Sequence, residues 1–489
     1  MTRLKLDEYS ESIISFPSIE QVHKMIQLAW FQRSLMVWMV GVCFHSVLWG
    51  QEGTKGTNTK EPRCVSRIFF QEDISKTLKW ADLFLGETLT LGKVKDVAGF
   101  PKLDPEKQTL VQMEYARGYL MVGVRDEEDG EYQSGWILIE SGVEEEEHGD
   151  HSHWHYGREP KVRASLLDEH QGNPAHLYCY DQVFYLANDR LNGYTRMAPA
   201  EILPNDGEDA IRKKASFHAG GGGHITLAAH QGKLGFATWI DRDGDHRGQV
   251  DVTALHPSGA KTVRGSFFLP SGGIHGAAAC SDRIFFAPSD GLCWIDVPKG
   301  TAWKPADIAV QHLSLGKKGD SPIRTGSFTR MENYLGFTTG SGEDAKLHWL
   351  QANASPLSVA TMAIPMHSES RPAGLQLVRD RKKTALGFVF HDHPKEVEVP
   401  CKLTILQMDP NRDGRWNDAK IDKTIEVGSC RIEGHGGHHS LDITSDRRRA
   451  VFSNPGDGTL SVIALEERTL QATFQVGGAP SKIITVGGR

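Results

Sequence analysis

The chain has 489 residues, of which 39% are hydrophobic and 51 are glycine. This composition is typical of a sheet-rich globular protein and excludes a disordered one. The formal net charge is −7, and an acidic chain is a poor partner for the phosphate backbone, so we expect no contact with nucleic acid.

An export signal is predicted near the N-terminus. Arg33 precedes an apolar run that begins at Leu35, and Gly50 and the polar Gln51 follow the run. At about fifteen residues the run is too short for a comfortable membrane span and suits a signal peptide, with a signal anchor as the alternative. We therefore expect a periplasmic or cell-surface monomer whose mature form has no membrane span.

A repeat of short apolar stretches separated by polar turns begins near residues 110, 176, 224, 275, 324, 373, 439 and 480. Most of the spacings are close to 50 residues, and a period of about 40–50 residues made of short strands indicates the blades of a β-propeller. The sequence predicts an all-β fold with eight blades, and seven is the alternative. Strands near 67–93 and 478–486 should pair and close the ring, which leaves no exposed sheet edge.

The predicted organisation follows from these features. It consists of an over-extended start with a signal peptide in 1–50, a linker in 51–64 and the propeller in 65–489. Two repeat spacings are longer than the others, which predicts a histidine-rich loop at 144–160 and an insertion at 401–431.

The loop is the most biased segment of the chain. Four glutamates at 144–147 precede Asp150, His148, His151, His153 and His155. Imidazole nitrogen is a good ligand for zinc and copper, and carboxylates add charge and oxygen ligands. We interpret the four histidines as metal ligands, with Asp150 as a candidate oxygen ligand.

A second group of histidines stands at equivalent points of the repeat. These residues are His176, His224, His275 and His439, with His438 beside the last. The innermost strands of a propeller line its channel, so the four should surround one mouth and supply the roughly four converging ligands of a zinc site. For each histidine alone, capping a strand is the competing role.

Other patterns give weaker predictions. Two turns carry the alternating oxygen ligands of a calcium loop, namely Asp241, Asp243, Asp245 and Asp409, Asn411, Asp413. Both lack the glutamate that an EF-hand has at its twelfth position, and hairpin turns rich in aspartate look the same. The segment 391–393 is a short His-x-His pair that is expected to be a solvated loop, with a surface metal site as the alternative. The six cysteines that follow Gly50 have no CxxC spacing and do not indicate a cysteine zinc site. Cys280 and Cys293 fall on neighbouring strands of one predicted sheet, and this pair and the pair Cys401–Cys430 are either disulfides or buried thiols.

Three stretches of the sequence, at 147–160, 272–278 and 290–296, resemble periplasmic zinc metallochaperones of the AztD type, and the likeness runs over roughly 65–487. The resemblance implies a β-propeller with one zinc site in or beside the channel and one that involves the loop. It also implies delivery of zinc to the solute-binding protein of a zinc ABC transporter. Ala277 stands where the family has glutamate, and a cysteine expected before the second stretch is absent.

We therefore predict an exported zinc-binding protein that captures zinc and transfers it, and that is not an enzyme. Imidazole suits copper as well as zinc. Two alternatives remain at this point: a metalloenzyme with a histidine-ligated centre, and a propeller that serves only as an interaction scaffold. The sequence contains no Ser-His-Asp or nucleotide-binding signature that favours a particular reaction.

Overall fold

The computed structural model describes residues 61–127, 131–149, 152–255, 263–299, 303–433 and 436–488. The predicted signal peptide, most of the predicted linker, Asp150 and His151 lie outside these ranges. No helix in the described part is long and apolar enough to cross a membrane.

Eight sheets form the fold, and the strands are numbered in chain order. Blade 1 contains β1 (Arg63–Glu72), β2 (Thr77–Leu85), β3 (Leu89–Leu91), β4 (Lys95–Asp96) and the last strand, β37 (Pro480–Val486). Blade 2 contains β5 (Gln108–Ala116), β6 (Tyr119–Asp126), β7 (Ser134–Glu140) and β10 (Lys161–Asp168). A hairpin of β8 (Glu144–Glu147) and β9 (Ser152–His155) lies between β7 and β10.

The next three blades each use four consecutive strands. Blade 3 contains β11 (Pro174–Tyr180), β12 (Val183–Asn188), β13 (Gly193–Met197) and β14 (Ser216–Ala219). Blade 4 contains β15 (Leu227–His230), β16 (Leu234–Thr238), β17 (Gln249–Ala254) and β18 (Val263–Phe268). Blade 5 contains β19 (Ala277–Cys280), β20 (Arg283–Phe286), β21 (Leu292–Asp296) and β22 (Gln311–Leu313).

A small ribbon of β23 (Lys317–Lys318) and β24 (Ser321–Pro322) precedes the last three blades. Blade 6 contains β25 (Thr329–Met331), β26 (Tyr334–Thr339), β27 (Lys346–Gln351) and β28 (Ala360–Ala363). Blade 7 contains β29 (Arg371–Arg379), β30 (Ala385–Asp392), β31 (Lys402–Gln407) and β32 (Lys420–Glu426). Blade 8 contains β33 (Leu441–Ile443), β34 (Arg449–Asn454), β35 (Thr459–Ala464) and β36 (Thr469–Gln475).

Helix is scarce in the described part. One short α-helix, α1 (Glu208–Arg212), and four single turns of 3-10 helix occur, at Asp189–Leu191, Pro199–Glu201, Pro305–Asp307 and Gly342–Asp344. The prediction of an eight-bladed, all-β propeller is therefore confirmed. The predicted closure is also observed, because β1 pairs with β37 in antiparallel register from Arg67 opposite Val486.

The core consists of apolar clusters between neighbouring blades. One cluster joins blades 3, 4 and 5 around Phe236 and Phe286, and another joins blades 7 and 8 around Phe390 and Phe452. Each blade is apolar on both faces because each face packs on a neighbour, which explains why the strands read as short apolar runs.

Two predictions about the chain segments are wrong. Residues 401–431 are not an insertion, because they supply β31 and β32, the two outer strands of blade 7. Cys280 and Cys293 are not on neighbouring strands, because β20 separates β19 from β21, and the two thiols are buried in different apolar clusters.

Strand direction gives the propeller two distinct faces. The first strands of successive blades contact one another and surround the channel. We call the end where they begin the front face, and the end where they turn into the second strands the rear face. Because neighbouring strands are antiparallel, connections from third to fourth strands lie on the rear face, and connections from second to third strands lie on the front face.

Candidate metal centres

Three of the four predicted channel histidines come together on the front face. His176 lies near the start of β11, and His224 and His275 directly precede β15 and β19. Their ring centroids are 4.6 Å (His176–His224), 5.0 Å (His224–His275) and 6.2 Å (His176–His275) apart. Because blades 3, 4 and 5 are consecutive, equivalent repeat positions on them are close in space. We call these three residues the histidine triad.

Two nitrogens of the triad already have the separation of metal ligands. Nε2 of His176 and Nε2 of His224 are 2.9 Å apart. Two imidazole nitrogens bound to one tetrahedral zinc at 2.0–2.1 Å would be about 3.3 Å apart. Nδ1 of His275 lies 3.2 Å from the carbonyl oxygen of Gly326, which leaves Nε2 as the nitrogen available to a metal. Its half-buried ring has to turn inward to become the third ligand.

A buried carboxylate contacts the triad at His224, on the side of the ring that faces away from His176. Asp189, at the end of blade 3's second strand, places Oδ2 3.3 Å from Nδ1 of His224 and accepts the backbone N–H of Ile225 at Oδ1. A proton on Nδ1 facing the carboxylate leaves the lone pair of His224 on Nε2, toward His176. Carboxylates in this position orient the histidines of metal sites and raise their basicity. Burial lowers the pKa of His275, so its imidazole stays neutral and able to bind metal to lower pH.

We expect Asp189→Asn to weaken zinc binding about 10- to 100-fold, as loss of an outer carboxylate does in other zinc sites. Isothermal titration of zinc against both proteins measures this change. Asp290→Asn is the matched control, because Asp290 follows the second strand of blade 5 but contacts Ser271 and His312 instead of the triad. An equal loss of affinity in both variants would contradict the assigned role of Asp189.

The prediction that His439 joins the triad is wrong for this structure. His439 precedes the first strand of blade 8, which stands opposite blade 4 in an eight-membered ring. Its fully buried ring stacks on Phe390, with centroids 4.7 Å apart, and both nitrogens are engaged. Nδ1 donates to Asp392 at 2.6 Å, and Nε2 donates to the carbonyl oxygen of Gly428 at 2.8 Å.

The Asp392–His439 pair is electrostatically tight. Burial opposes the charged form of His439, but the charge of Asp392 and the hydrogen bonds outweigh burial and raise the pKa of His439. In the same way, burial disfavours ionised Asp392, but His439 and His438 outweigh it and hold the pKa of Asp392 well below its usual range. Nδ1 of His438 also donates to Asp392, at 2.9 Å. His439 therefore has the strand-capping role, and His438 supports the same carboxylate.

Next to this pair lies a group of sulfur and nitrogen atoms. Within the described ranges, two sets of three ligand atoms lie within 4.8 Å of one another: His393, Cys401 and Cys430, and Asp392, Cys430 and His439. The Sγ atoms of Cys401 and Cys430 are 3.3 Å apart, and Nε2 of His393 is 3.3 Å from Sγ of Cys401. A hydrogen bond from Cys401 lowers the pKa of Cys430 to about 6, and sharing that proton raises the pKa of Cys401.

A glycine closes the loop that carries His438 and His439. Gly437 has φ +73°, and a Cβ added there would lie 1.6 Å from the carbonyl oxygen of Arg431. Only glycine fits this approach.

The expectation that 391–393 is a solvated loop is also wrong, because His391, Asp392 and His393 are all buried.

The histidine-rich loop forms a hairpin on the rear face. Glu144 pairs with His155 and Glu146 with His153, so these four side chains share one face of the ribbon. Glu146 contacts Nε2 of His155 at 3.1 Å and Nε2 of His148 at 3.4 Å. The hydrogen bond from His155 lowers the pKa of Glu146. The three described histidines are exposed, whereas Asp150 and His151 lie outside the described residues.

The other face of the hairpin attaches it to the propeller. Trp154 packs against the apolar cluster of blades 1 and 2. The hairpin borders a cavity of about 1420 Å³, whose other walls are turns between first and second strands and include Arg117, Gln182 and Arg381. The hairpin therefore lies over the rear mouth of the channel, whereas the triad lies on the front face.

The predicted calcium loops behave as hairpin turns. Both carboxylate oxygens of Asp409 accept backbone N–H groups, from Asp413 and Gly414, and Asn411 accepts the N–H of Asp413. In the other turn Asp241 accepts the N–H of His246. Asp241, Asp243 and Asp245 are not among the clusters of ligand atoms found in the described residues. The geometry therefore favours the turn interpretation at both places.

Sequence reasoning paired Cys401 with Cys430 but assigned none of five residues to a metal site: Asp189, Asp392, His393, Cys401 and Cys430. A signal existed for the two aspartates. Asp189 and Asp392 both follow or end the second strand of a blade and contact the histidine that opens the next blade. Alignment of second strands as well as first strands would have paired each aspartate with its histidine. The sulfur ligands are 29 residues apart and have no local spacing pattern.

Neither a protein-family model nor a curated protein sequence matches the chain. The structure is similar to that of apo AztD from Citrobacter koseri, with 14% identity, coverage of 87% of this chain and 99% of that one, and a TM-score of 0.57. A second crystal structure of Citrobacter koseri AztD gives 17% identity, the same coverage and a TM-score of 0.58. This chain has an AztD-type β-propeller fold. At these identities the likeness concerns the fold, and the resemblance seen in the sequence is confirmed at that level.

Proposed function

We propose that this protein is an exported zinc-binding metallochaperone that holds zinc at the histidine triad and releases it to the solute-binding protein of a zinc ABC importer. The observation that carries the proposal is the convergence of His176, His224 and His275 from three consecutive blades, with Asp189 behind His224. The AztD-type fold and the sequence resemblance point the same way.

The chemistry of the triad suits transfer better than catalysis. Three neutral imidazoles bind zinc and leave the fourth position open to a ligand from another protein. An acceptor that docks on the front face can replace the imidazoles one at a time, so free zinc need not form. Protonation of the imidazoles at low pH opposes binding and assists release. The proposed function is the binding and hand-over of zinc, which requires no catalytic base.

The two faces of the propeller separate the hairpin from the triad. Each hairpin strand has four residues and spans about 13 Å, whereas the nine residues of β5 span about 30 Å. Within one molecule the hairpin therefore does not reach the triad. The hairpin therefore serves as a zinc-collecting surface separate from the triad.

A transfer assay tests the proposal. Zinc-loaded protein is mixed with an apo solute-binding protein of a zinc ABC importer in the presence of a chelator that intercepts free zinc, and zinc in each separated protein is measured. We expect transfer of about one equivalent despite the chelator, as for one site with shared ligands. The double variant His176→Ala/His224→Ala should transfer none. The variant His148→Ser/His153→Ser/His155→Ser should still transfer the triad zinc.

Two outcomes would contradict the proposal. If the chelator captures all the zinc, release is by dissociation and no hand-over occurs. If the hairpin variant fails and the triad variant succeeds, the donor site lies on the rear face.

A further inference from the structure

We propose that His393, Cys401 and Cys430 form a second metal site, rich in thiolate, that binds a thiophilic d10 cation, in the first place Zn²⁺. This site is chemically distinct from the triad and the hairpin, whose described candidate ligands are nitrogen and oxygen atoms. All three ligand residues are buried, with relative exposures of 5%, 2% and 6%.

The ligand atoms are close to metal-binding geometry. With Zn–S distances near 2.3 Å, two thiolates on a tetrahedral zinc are about 3.8 Å apart, and a thiolate and an imidazole nitrogen about 3.5 Å. The observed separations are 3.3 Å for Cys401–Cys430 and 3.3 Å for His393–Cys401. An outward shift of a few tenths of an ångström at each ligand makes room for the ion.

The imidazole of His393 is fixed in the tautomer that a metal requires. Nδ1 lies 3.0 Å from the carbonyl oxygen of Pro394, so this nitrogen carries the proton and Nε2 presents its lone pair toward Cys401. A backbone carbonyl in this position is the usual outer partner of a metal-bound histidine. Cys401 and Cys430 are free cysteines in the structure.

Backbone groups contact both sulfurs. The Sγ–H of Cys430 donates to the carbonyl oxygen of His393 at 3.1 Å, a contact that is lost when this thiol ionises. The N–H of Cys430 donates to Sγ of Cys401 at 3.3 Å, which stabilises negative charge on that sulfur. Binding of M²⁺ would displace whichever thiol protons remain on Cys401 and Cys430, up to two for each ion. Asp392 is a further candidate ligand, since one of its oxygens lies within 4.8 Å of Sγ of Cys430.

The three chain segments that carry the ligands all reach the front face. His393 follows the second strand of blade 7, Cys401 precedes the third and Cys430 follows the fourth. Asp392 is shared with His438, whose side chain is 25% exposed, so solvent reaches the neighbourhood of the buried ligands. The site and the triad are therefore on the same side of the propeller.

Cobalt titration of the protein reduced with a phosphine tests the proposal. Co²⁺ bound to thiolate gives an intense near-ultraviolet charge-transfer band, which cobalt bound only to nitrogen and oxygen ligands lacks. We expect this band to appear with about one equivalent of Co²⁺ and to be displaced by Zn²⁺. Cys401→Ser and Cys430→Ser should lose the band, and Cys280→Ser, a buried thiol in blade 5, should retain it.

The histidine variant His176→Ala/His224→Ala separates this proposal from the proposed function, because it should keep the charge-transfer band while losing the triad metal. Absence of the band in reduced protein whose free thiols have been counted would overturn the proposal. Persistence of the band in both cysteine variants would also overturn it. A band displaced by Cu⁺ but not by Zn²⁺ would reassign the cation to copper and contradict the zinc assignment.

Discussion

Zinc affinity is expected to fall by more than about 100-fold when His176 and His224 are both replaced by alanine, because loss of an outer ligand alone costs 10- to 100-fold and this change removes two direct ligands. Their Nε2 atoms, 2.9 Å apart, define the position of the ion. Competition titration with a chromophoric zinc chelator measures the loss.

His312→Ala is the control for this double variant. His312 is also an imidazole beside a carboxylate, at 3.2 Å from Asp290, but it belongs to the outer strand β22 of blade 5. Its removal should leave tight zinc binding unchanged. Near-ultraviolet circular dichroism should match for all variants, since the triad residues are half-buried and outside the apolar clusters. An unchanged zinc affinity in the double variant would exclude the triad as the tight site.

The largest expected effect on stability belongs to Arg67. Its guanidinium is 1% exposed and pairs with both oxygens of Asp82, at 2.7 and 3.0 Å. It also donates to the carbonyl oxygens of Ser141, Tyr156 and Arg158, at the base of the hairpin. We expect Arg67→Met to lower the free energy of unfolding by about 3–5 kcal/mol, because a carboxylate that is only 18% exposed and three carbonyls lose their partner.

Chemical denaturation of both proteins measures this difference. Lys318→Met is the control, because Lys318 and Asp344 form a pair at 2.7 Å whose side chains are 73% and 61% exposed, and such exposed pairs contribute little to stability. A loss below 1 kcal/mol in Arg67→Met would mean that water replaces the lost hydrogen bonds. Because Arg67 links blade 1 to the hairpin, the variant should also make the hairpin more susceptible to proteolysis.

The fold was predictable from the sequence because each repeat consists of short apolar stretches separated by polar turns, which are visible locally. The starts inferred near 176, 224 and 275 lie within three residues of β11, β15 and β19. The closing pair β1–β37 followed from incomplete strand sets at the two ends. The segment 401–431 was misassigned, because long connections around His393 and Cys430 stretched the period and hid two ordinary blade strands.

The sites were predictable only where neighbouring repeats carry the ligands. The triad occupies equivalent positions on consecutive blades, so periodicity alone brings its members together. His439 occupies the same position on the opposite side of the ring, and its environment depends on Asp392 and Gly428, which periodicity does not reveal. The thiolate cluster, which consists of His393, Cys401 and Cys430, combines side chains from connections before and after three different strands. Such a convergence exists only in the folded chain.

Diffraction data collected at the zinc absorption edge from crystals of the zinc-loaded protein test the central claim most directly. Zinc bound by the triad predicts an anomalous peak at about 2.0–2.1 Å from Nε2 of His176 and Nε2 of His224, with the ring of His275 turned toward it. Anomalous peaks confined to the rear-face hairpin or to the thiolate cluster, with none at the triad, would contradict the account.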